Sequence, residues 1–383
     1  MLCQLQGDNA SSVLFLYIML AATDTIKTKH IHHSAPTYSF FPDNKNPNKQ
    51  HGHLVRQPTA SKGTTLSVDH ILYVDDGAFI STTRDGIESM AQALYDHLAK
   101  FGLKMHVGKN NEESKTLAML IPPSLEQAKE NIRNKTIPPK ILLNNDQNNI
   151  PFTNEFKYLG SIIHVTLQED VEIERRIKQA WSVIGVMKHF LTNRDVDLRS
   201  KVLLYMTGPL NALLWGCESW NLSKKNIDQL NIFHHSAIRW ILGIRVTQVK
   251  EERIKNTTIR KQFGNIQEVS FYIKRRTWTY IGKIIRANEN LLPRQLTGAW
   301  IQCPRKIGHP QKSCRNLFVA TLKEIIPENV DDQGKFKDFF ALAKNETLWE
   351  QKLKDHEENI IRASQENTKS SINNKDDENS IFS

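Results

Sequence analysis

Asp75 and Asp76 stand side by side in ILYVDDGAFI, residues 71–80, between two apolar runs. Neighbouring carboxylates repel by about 1 kcal/mol in water, and by more where they are partly buried. A chain keeps such a pair in a solvated turn or around a cation. Two hard oxygen donors on a tight hairpin suit Mg²⁺. Two-metal phosphoryl transfer needs such donors to clamp the attacking and leaving oxygens. Adjacent aspartates in a turn are common, so the pair alone does not assign catalysis. A calcium loop is a poor match, because no DxDxDG run surrounds the pair.

The elements that would hold the pair are legible in the pattern. Residues 71–74 and 78–81 read as strands, and Asp76-Gly77 as the hairpin turn. Ile87, Met90, Ala91, Leu94, Leu98 and Phe101 mark one helix face, with Gly102 as its C-terminal cap. Residues 103–107 read as a further strand. This order predicts an α+β sheet domain. Pro122-Pro123 and Pro138-Pro139 mark a loop-rich stretch over 122–151, and residues 156–165 read as another hairpin.

From about Glu169 the period becomes helical. Ile173, Ile177, Trp181, Ile184 and Met187 form one stripe. A second helix is predicted over 197–215, bent near Gly208-Pro209. A third follows the N-cap Ser223 and carries Ile227, Leu230, Phe233, Ala237 and Ile241. Residues 266–286 read as a basic helix. Each stripe is core packing first of all. Residues 27–65, rich in His, Asn, Pro, Lys and Ser, read as a loop or disordered insert. The end of the tail past Lys344 reads as disordered.

The 383 residues carry a formal net charge of +10, which favours an acidic partner such as nucleic acid. The charge is uneven. Residues 239–286 hold twelve Lys or Arg against three Glu, a net of +9, whereas residues 328–378 hold eight basic against thirteen acidic, a net of −5. The basic stretch interleaves cations with Trp240, Phe263, Phe271, Tyr272, Trp278 and Tyr280. That mixture suits phosphate contact with base stacking, although aromatics alone are more often core. Its candidate nucleic-acid contacts are Arg239, Arg245, Arg260, Lys261, Lys274, Arg275, Arg276, Lys283 and Arg286.

Cys3, Cys217, Cys303 and Cys314 form no CxxC pair, and Cys303, His309 and Cys314 lie at no zinc-finger spacing, so free thiols in a reducing compartment are expected. The apolar run 13–22 is too short to span a membrane, and its upstream flank carries Asp8 with no Lys or Arg.

Several motifs then resemble one family in order. YVDD at residues 73–76 resembles the catalytic box of reverse transcriptases. LQGDNASSVLFLYIML, residues 5–20, is similar to their QG segment, with Ser12 where proline is usual. FGLKMHVGKNNEESKT, residues 101–116, resembles their GL…KT segment, and FKYLGSII, residues 156–163, their primer-gripping hairpin. LLWGCESWNLSKKNIDQLNIFHHSAIRWILGI, residues 213–244, resembles the segment after the palm in non-LTR, LINE-type retrotransposon proteins. RRTWTYIGKIIRANENLLPRQL and RKIGHPQKSCRNLF resemble degraded forms of their C-terminal pattern.

The resemblance implies a partial reverse-transcriptase palm, an antiparallel sheet with helices, followed by an all-helical thumb-like and basic C-terminal region. The implied segments are 1–22, 23–68, 69–168, 169–245, 246–325 and 326–383. It implies RNA-templated DNA synthesis on a primer. Asp75 and Asp76 would bind Mg²⁺, Gln6, Gly7 and Tyr73 would line the nucleotide and template pocket, and Lys115 would approach the triphosphate. Lys157, Tyr158, Leu159 and Gly160 would lie under the primer end. The family's first catalytic aspartate lies on a strand upstream of the QG segment, and only five residues precede Gln6. The expectation is therefore a truncated enzyme, inactive alone, with weak Mg²⁺ binding. The alternative is a non-catalytic remnant that binds nucleic acid nonspecifically through the basic helices.

Overall fold

The computed structural model describes residues 9–25, 35–40, 64–74, 76–109, 113–144, 148–288, 290–297, 300–301, 314–327 and 339–380. Gln6, Gly7 and Asp75 lie outside them. The chain divides into two units, Met1–Tyr38 with Thr65–Val183, and Ser39–Thr64 with Ile184–Ser383. Two short strands, β1 (Thr37–Phe40) and β2 (Thr64–Ser67), fall in the stretch read from sequence as an insert.

The first unit mixes helices with small antiparallel sheets. Helix α1 (Asn9–Thr25) is followed by the hairpin of β3 (His70–Tyr73) and β4 (Asp76–Phe79). Helix α2 (Arg84–Lys100) begins where the Thr83 hydroxyl accepts the Gly86 N–H at 3.1 Å. It ends in a Schellman turn: Leu103 N–H bonds the Leu98 carbonyl, Gly102 N–H bonds that of Ala99, and Gly102 takes φ +73. Its predicted face is buried at Met90, Ala91, Leu94 and Leu98.

The expected strand over 103–107 does not form. Only β5 (Gly108–Lys109) pairs, joining β7 (Asn148–Ile150) and β6 (Ile141–Leu143) in the order β5-β7-β6. Residues 103–107 are used for packing instead: Met105 and Val107 turn into the core beside Ala91, Ile141 and Ile150, and Leu103 packs with Met19, Ala22 and Leu98. Helix α3 (Leu125–Arg133), capped by Ser124, lies in the stretch read as loop. The second hairpin, β8 (Glu155–Tyr158) with β9 (Ser161–His164), leads to helix α4 (Asp170–Val186). Several small sheets thus stand where the sequence led us to expect one sheet domain.

The second unit is helical. After α5 (Lys188–Thr192), helix α6 (Leu198–Thr207) is capped by Asp197, and the break at Gly208 restarts as α7 (Pro209–Leu213), with proline at its first position. Helix α8 (Lys224–Leu242) starts in a capping box of Ser223 with Asn226 and stops at Gly243, φ +72. Short helices α9 (Val246–Glu251) and α10 (Asn256–Gln262) lead to α11 (Val269–Arg286). Then come α12 (Leu292–Thr297), α13 (Cys314–Ile325), α14 (Phe339–Lys344) and α15 (Glu346–Ser380). The tail expected to be disordered is therefore helical through Ser380. Hydrogen bonds at i,i+4 spacing, Gln351 to Asp355 and Arg362 to Glu358, support it locally.

What fixes α15 is packing on α11. The Trp278 and Trp349 rings stack at 3.7 Å and 5°, and each indole N–H donates to the other residue's carbonyl at 3.0 Å. Both are essentially fully buried, in a core shared with Ile281, Phe318 and Leu322. A Cβ on Gly282 would lie 2.5 Å from the Trp349 indole nitrogen, so this approach requires glycine.

Candidate nucleic-acid interface

The first hairpin turns earlier than its Asp-Gly pair. Tyr73 pairs with Asp76 and Leu72 with Gly77, so the chain turns at Val74, before the Asp-Gly pair. Asp76-Gly77 is therefore strand, not turn. Glycine is needed there for packing: a Cβ on Gly77 would meet Phe79 at 2.9 Å and Leu72 at 3.3 Å. Val74 takes the left-handed region at φ 55. For a β-branched residue this costs about 1–3 kcal/mol, which the surrounding structure must impose.

The hairpin is held from one side. Leu72 packs against Met19, Ala22 and Leu98, so α1 and α2 both support β3. The His70 ring stacks on Phe79, with centroids 5.9 Å apart, and its Nδ1 lies 2.7 Å from an Asp69 carboxylate oxygen. The opposite face is open: Asp76 is exposed, and Tyr73 keeps 60% of its surface.

The second hairpin is clamped at its tip. Leu159 and Gly160 take φ 46 and 81, both left-handed as in a type I′ turn. The Gly160 carbonyl accepts from both the Arg175 and Arg176 guanidinium groups at 2.5 Å. Glu172, 2% exposed, pairs with both arginines and accepts the Ile162 N–H at 2.8 Å. Burial holds the Arg176 guanidinium below its ordinary range, against the opposing pull of Glu172. None of these three residues was singled out from sequence. The available signal was a Glu with Arg at i+3 and i+4, directly after the hairpin.

Tyr158 ends the first strand of the second hairpin. Its hydroxyl is buried and has no hydrogen-bond partner. Burial raises its pKa, and the Asp76 carboxylate is near enough to raise it further. Asp76 thus lies within electrostatic reach of Tyr158. Lys157 and Leu159 are exposed beside Tyr158. Lys115 is exposed in the loop after β5, where its backbone N–H donates to His106 Nδ1 at 3.2 Å.

Six of the nine candidate cations bond groups named here. Arg260 meets Glu268 and His235, each at 3.0 Å, Lys274 meets Glu324 at 2.6 Å, and Arg275 meets Glu357 at 3.4 Å. Arg286 bonds Glu346 and the Ala343 carbonyl. Arg276 donates to the Leu214 carbonyl at 2.7 Å and to the Asn211 side chain, and Arg239 donates to Ser236. Arg245, Lys261 and Lys283 are exposed. The acidic C-terminal helices therefore neutralise part of the +9 counted along the sequence.

Among the described residues no group of three or more His, Cys, Asp or Glu converges as a metal site, and no helix is long and apolar enough to cross a membrane. No family model matches the chain, and no solved structure does. The chain is 23% identical over 226 residues, 58% of its length, to a Caenorhabditis elegans protein named as transposon-derived, 74% of which is covered. That relationship supports a transposon origin for this chain.

Proposed function

We propose that the chain derives from the reverse transcriptase of a non-LTR retrotransposon, and that its two hairpins form a platform for a nucleic-acid strand end. The observation that carries this reading is that Asp76, from YVDD, lies within electrostatic reach of Tyr158, from FKYLG. These segments lie far apart in sequence, and both belong to the pattern that resembles the family. Val74's strained backbone adds to it, since such strain gathers where geometry serves a function. Lys157, exposed beside the hairpin tip, offers a phosphate contact.

The family's chemistry needs Mg²⁺ shared among three carboxylates. The described residues supply Asp76 and no converging set of three, so they do not by themselves hold that ion pair. The chain should accordingly bind a primer end without extending it. Two measurements test this. A primer with a photoreactive 3′-terminal base should crosslink to residues 157–160, and crosslinks elsewhere alone would refute the platform. Primer extension on poly-A with oligo-dT, dTTP and Mg²⁺ or Mn²⁺ should give no product. Product that disappears with Asp76→Asn would overturn the non-extending part of the reading.

A further inference from the structure

The basic helix α11 divides its cations between two clefts of the second unit. One cleft, about 280 Å³, has Arg260 and Lys274 facing Glu268 and Glu324, and Arg275, which lines both clefts, is paired with Glu357. The other, about 310 Å³, is walled by Arg275, Arg276, Thr279, Tyr280 and Lys283, which repeat at helical spacing along one face. Its floor is apolar, built by Met206, Leu210 and Leu214, and Glu218 is the acid on its wall.

We propose that this second cleft binds a single-stranded stretch of RNA or DNA, with the phosphates along Arg276 and Lys283 and a base against Tyr280. The proposal rests on the nucleic-acid reading above but concerns a different surface. Three features carry it. Arg276 is held in place by the Leu214 carbonyl and Asn211, which leaves further guanidinium N–H groups to donate. Lys283 is exposed, and its ammonium makes no hydrogen bond or ion pair with a described residue. Seven residues separate them, about 10 Å along the helix, enough to follow successive phosphates. Tyr280 lies between them, 36% exposed, with the edge of its contact to Phe318 fixing the ring. A flat ring beside cations over an apolar floor accepts any base, so sequence preference should be small. An acidic peptide would satisfy the cations but would leave the ring and floor unused.

The test uses the full chain and labelled oligo(dT) and oligo(rU), with polyglutamate as the competing polyanion. Lys283→Glu should weaken oligonucleotide binding about tenfold and flatten its salt dependence, since one phosphate contact is lost. Lys354→Glu, an equal charge change on the exposed side of α15, should leave it nearly unchanged. Tyr280→Leu keeps the charge and should weaken oligonucleotide binding several-fold while leaving polyglutamate binding alone. Equal losses for Lys283→Glu and Lys354→Glu would overturn the cleft. So would Tyr280→Leu weakening both ligands alike, or polyglutamate competing as strongly as oligo(dT). Melting temperatures for all three variants check that they fold. Failure of the hairpin crosslink with the cleft effects intact would count against the strand-end platform and not against this surface.

Discussion

Glu172 shows how one side chain can govern a site it does not touch. Its carboxylate joins two guanidinium groups, one strand amide and, through the arginines, the carbonyl at the hairpin tip. Glu172→Gln would leave Arg176, 5% exposed, without its counter-charge, and breaking one partner of a buried pair costs about 3–5 kcal/mol. The expected result is faster amide exchange at Ile162 and loss of primer-end crosslinking at residues 157–160. Unchanged exchange would mean that the clamp does not order the tip. Val74 invites the opposite experiment. Val74→Asn fits the left-handed backbone better and should stabilise the fold by about 1 kcal/mol, read as a rise in melting temperature. The adjacent aspartates were visible in the sequence because charge adjacency needs no structure to read. The turn was not, because Asp-Gly normally signals one, and here glycine is consumed by the packing of Phe79 and Leu72.

At the scale of elements, the legible parts were those whose ends and faces are written locally. Helix α2 has its cap at Thr83, its stripe and its closing Gly102; α8 has Ser223 and Gly243; the break between α6 and α7 has Gly208-Pro209. What failed depends on distant partners. Residues 103–107 look like a strand but find no strand to pair with. The end of the tail reads as disordered after an acidic helix, but the helix runs through Ser380 and is docked near its start by Trp349 on Trp278, 71 positions away. The candidate cations were readable as a charge excess, yet the pairing of Lys274, Arg275 and Arg286 with Glu324, Glu357 and Glu346 of α13 and α15 was not. This makes Gly282 a sharp probe. Gly282→Ala would drive a methyl group into the Trp349 indole, and overpacking of this kind costs about 1–3 kcal/mol. The near-ultraviolet circular dichroism of the stacked indoles should weaken with it. An unchanged signal would show that α15 does not rest on Trp278.

Over the whole molecule, the balance of charge and burial sets how the fold should respond to acid, and His234 is its clearest test. The ring is fully buried on α8, bonded to the Tyr205 hydroxyl through Nδ1 at 2.8 Å and to the Gln267 carbonyl through Nε2 at 3.0 Å. With Nε2 as the donor and Nδ1 as the acceptor, both ring nitrogens are satisfied in the neutral form. Burial pushes its pKa down to about 3, with His235 and Arg260 opposing a further charge nearby. Tyr272 faces the same ring and stays neutral, since burial raises its pKa. His235 is lowered too, first by burial and then by Arg260. An unfolded chain would hold His234 near the ordinary histidine value of about 6.5. Below that value the unfolded state binds a proton that the fold refuses. Stability is therefore full above about pH 6.5 and falls as the pH drops toward 3. At pH 4.5 the deficit from this one ring is about 2–3 kcal/mol. Denaturant midpoints followed by tryptophan emission should drop over that window. His234→Gln, which can still meet both partners but cannot titrate, should flatten the drop while lowering the midpoint at pH 7.5. A variant as acid-sensitive as the parent would mean that the ring is not the group that charges on unfolding.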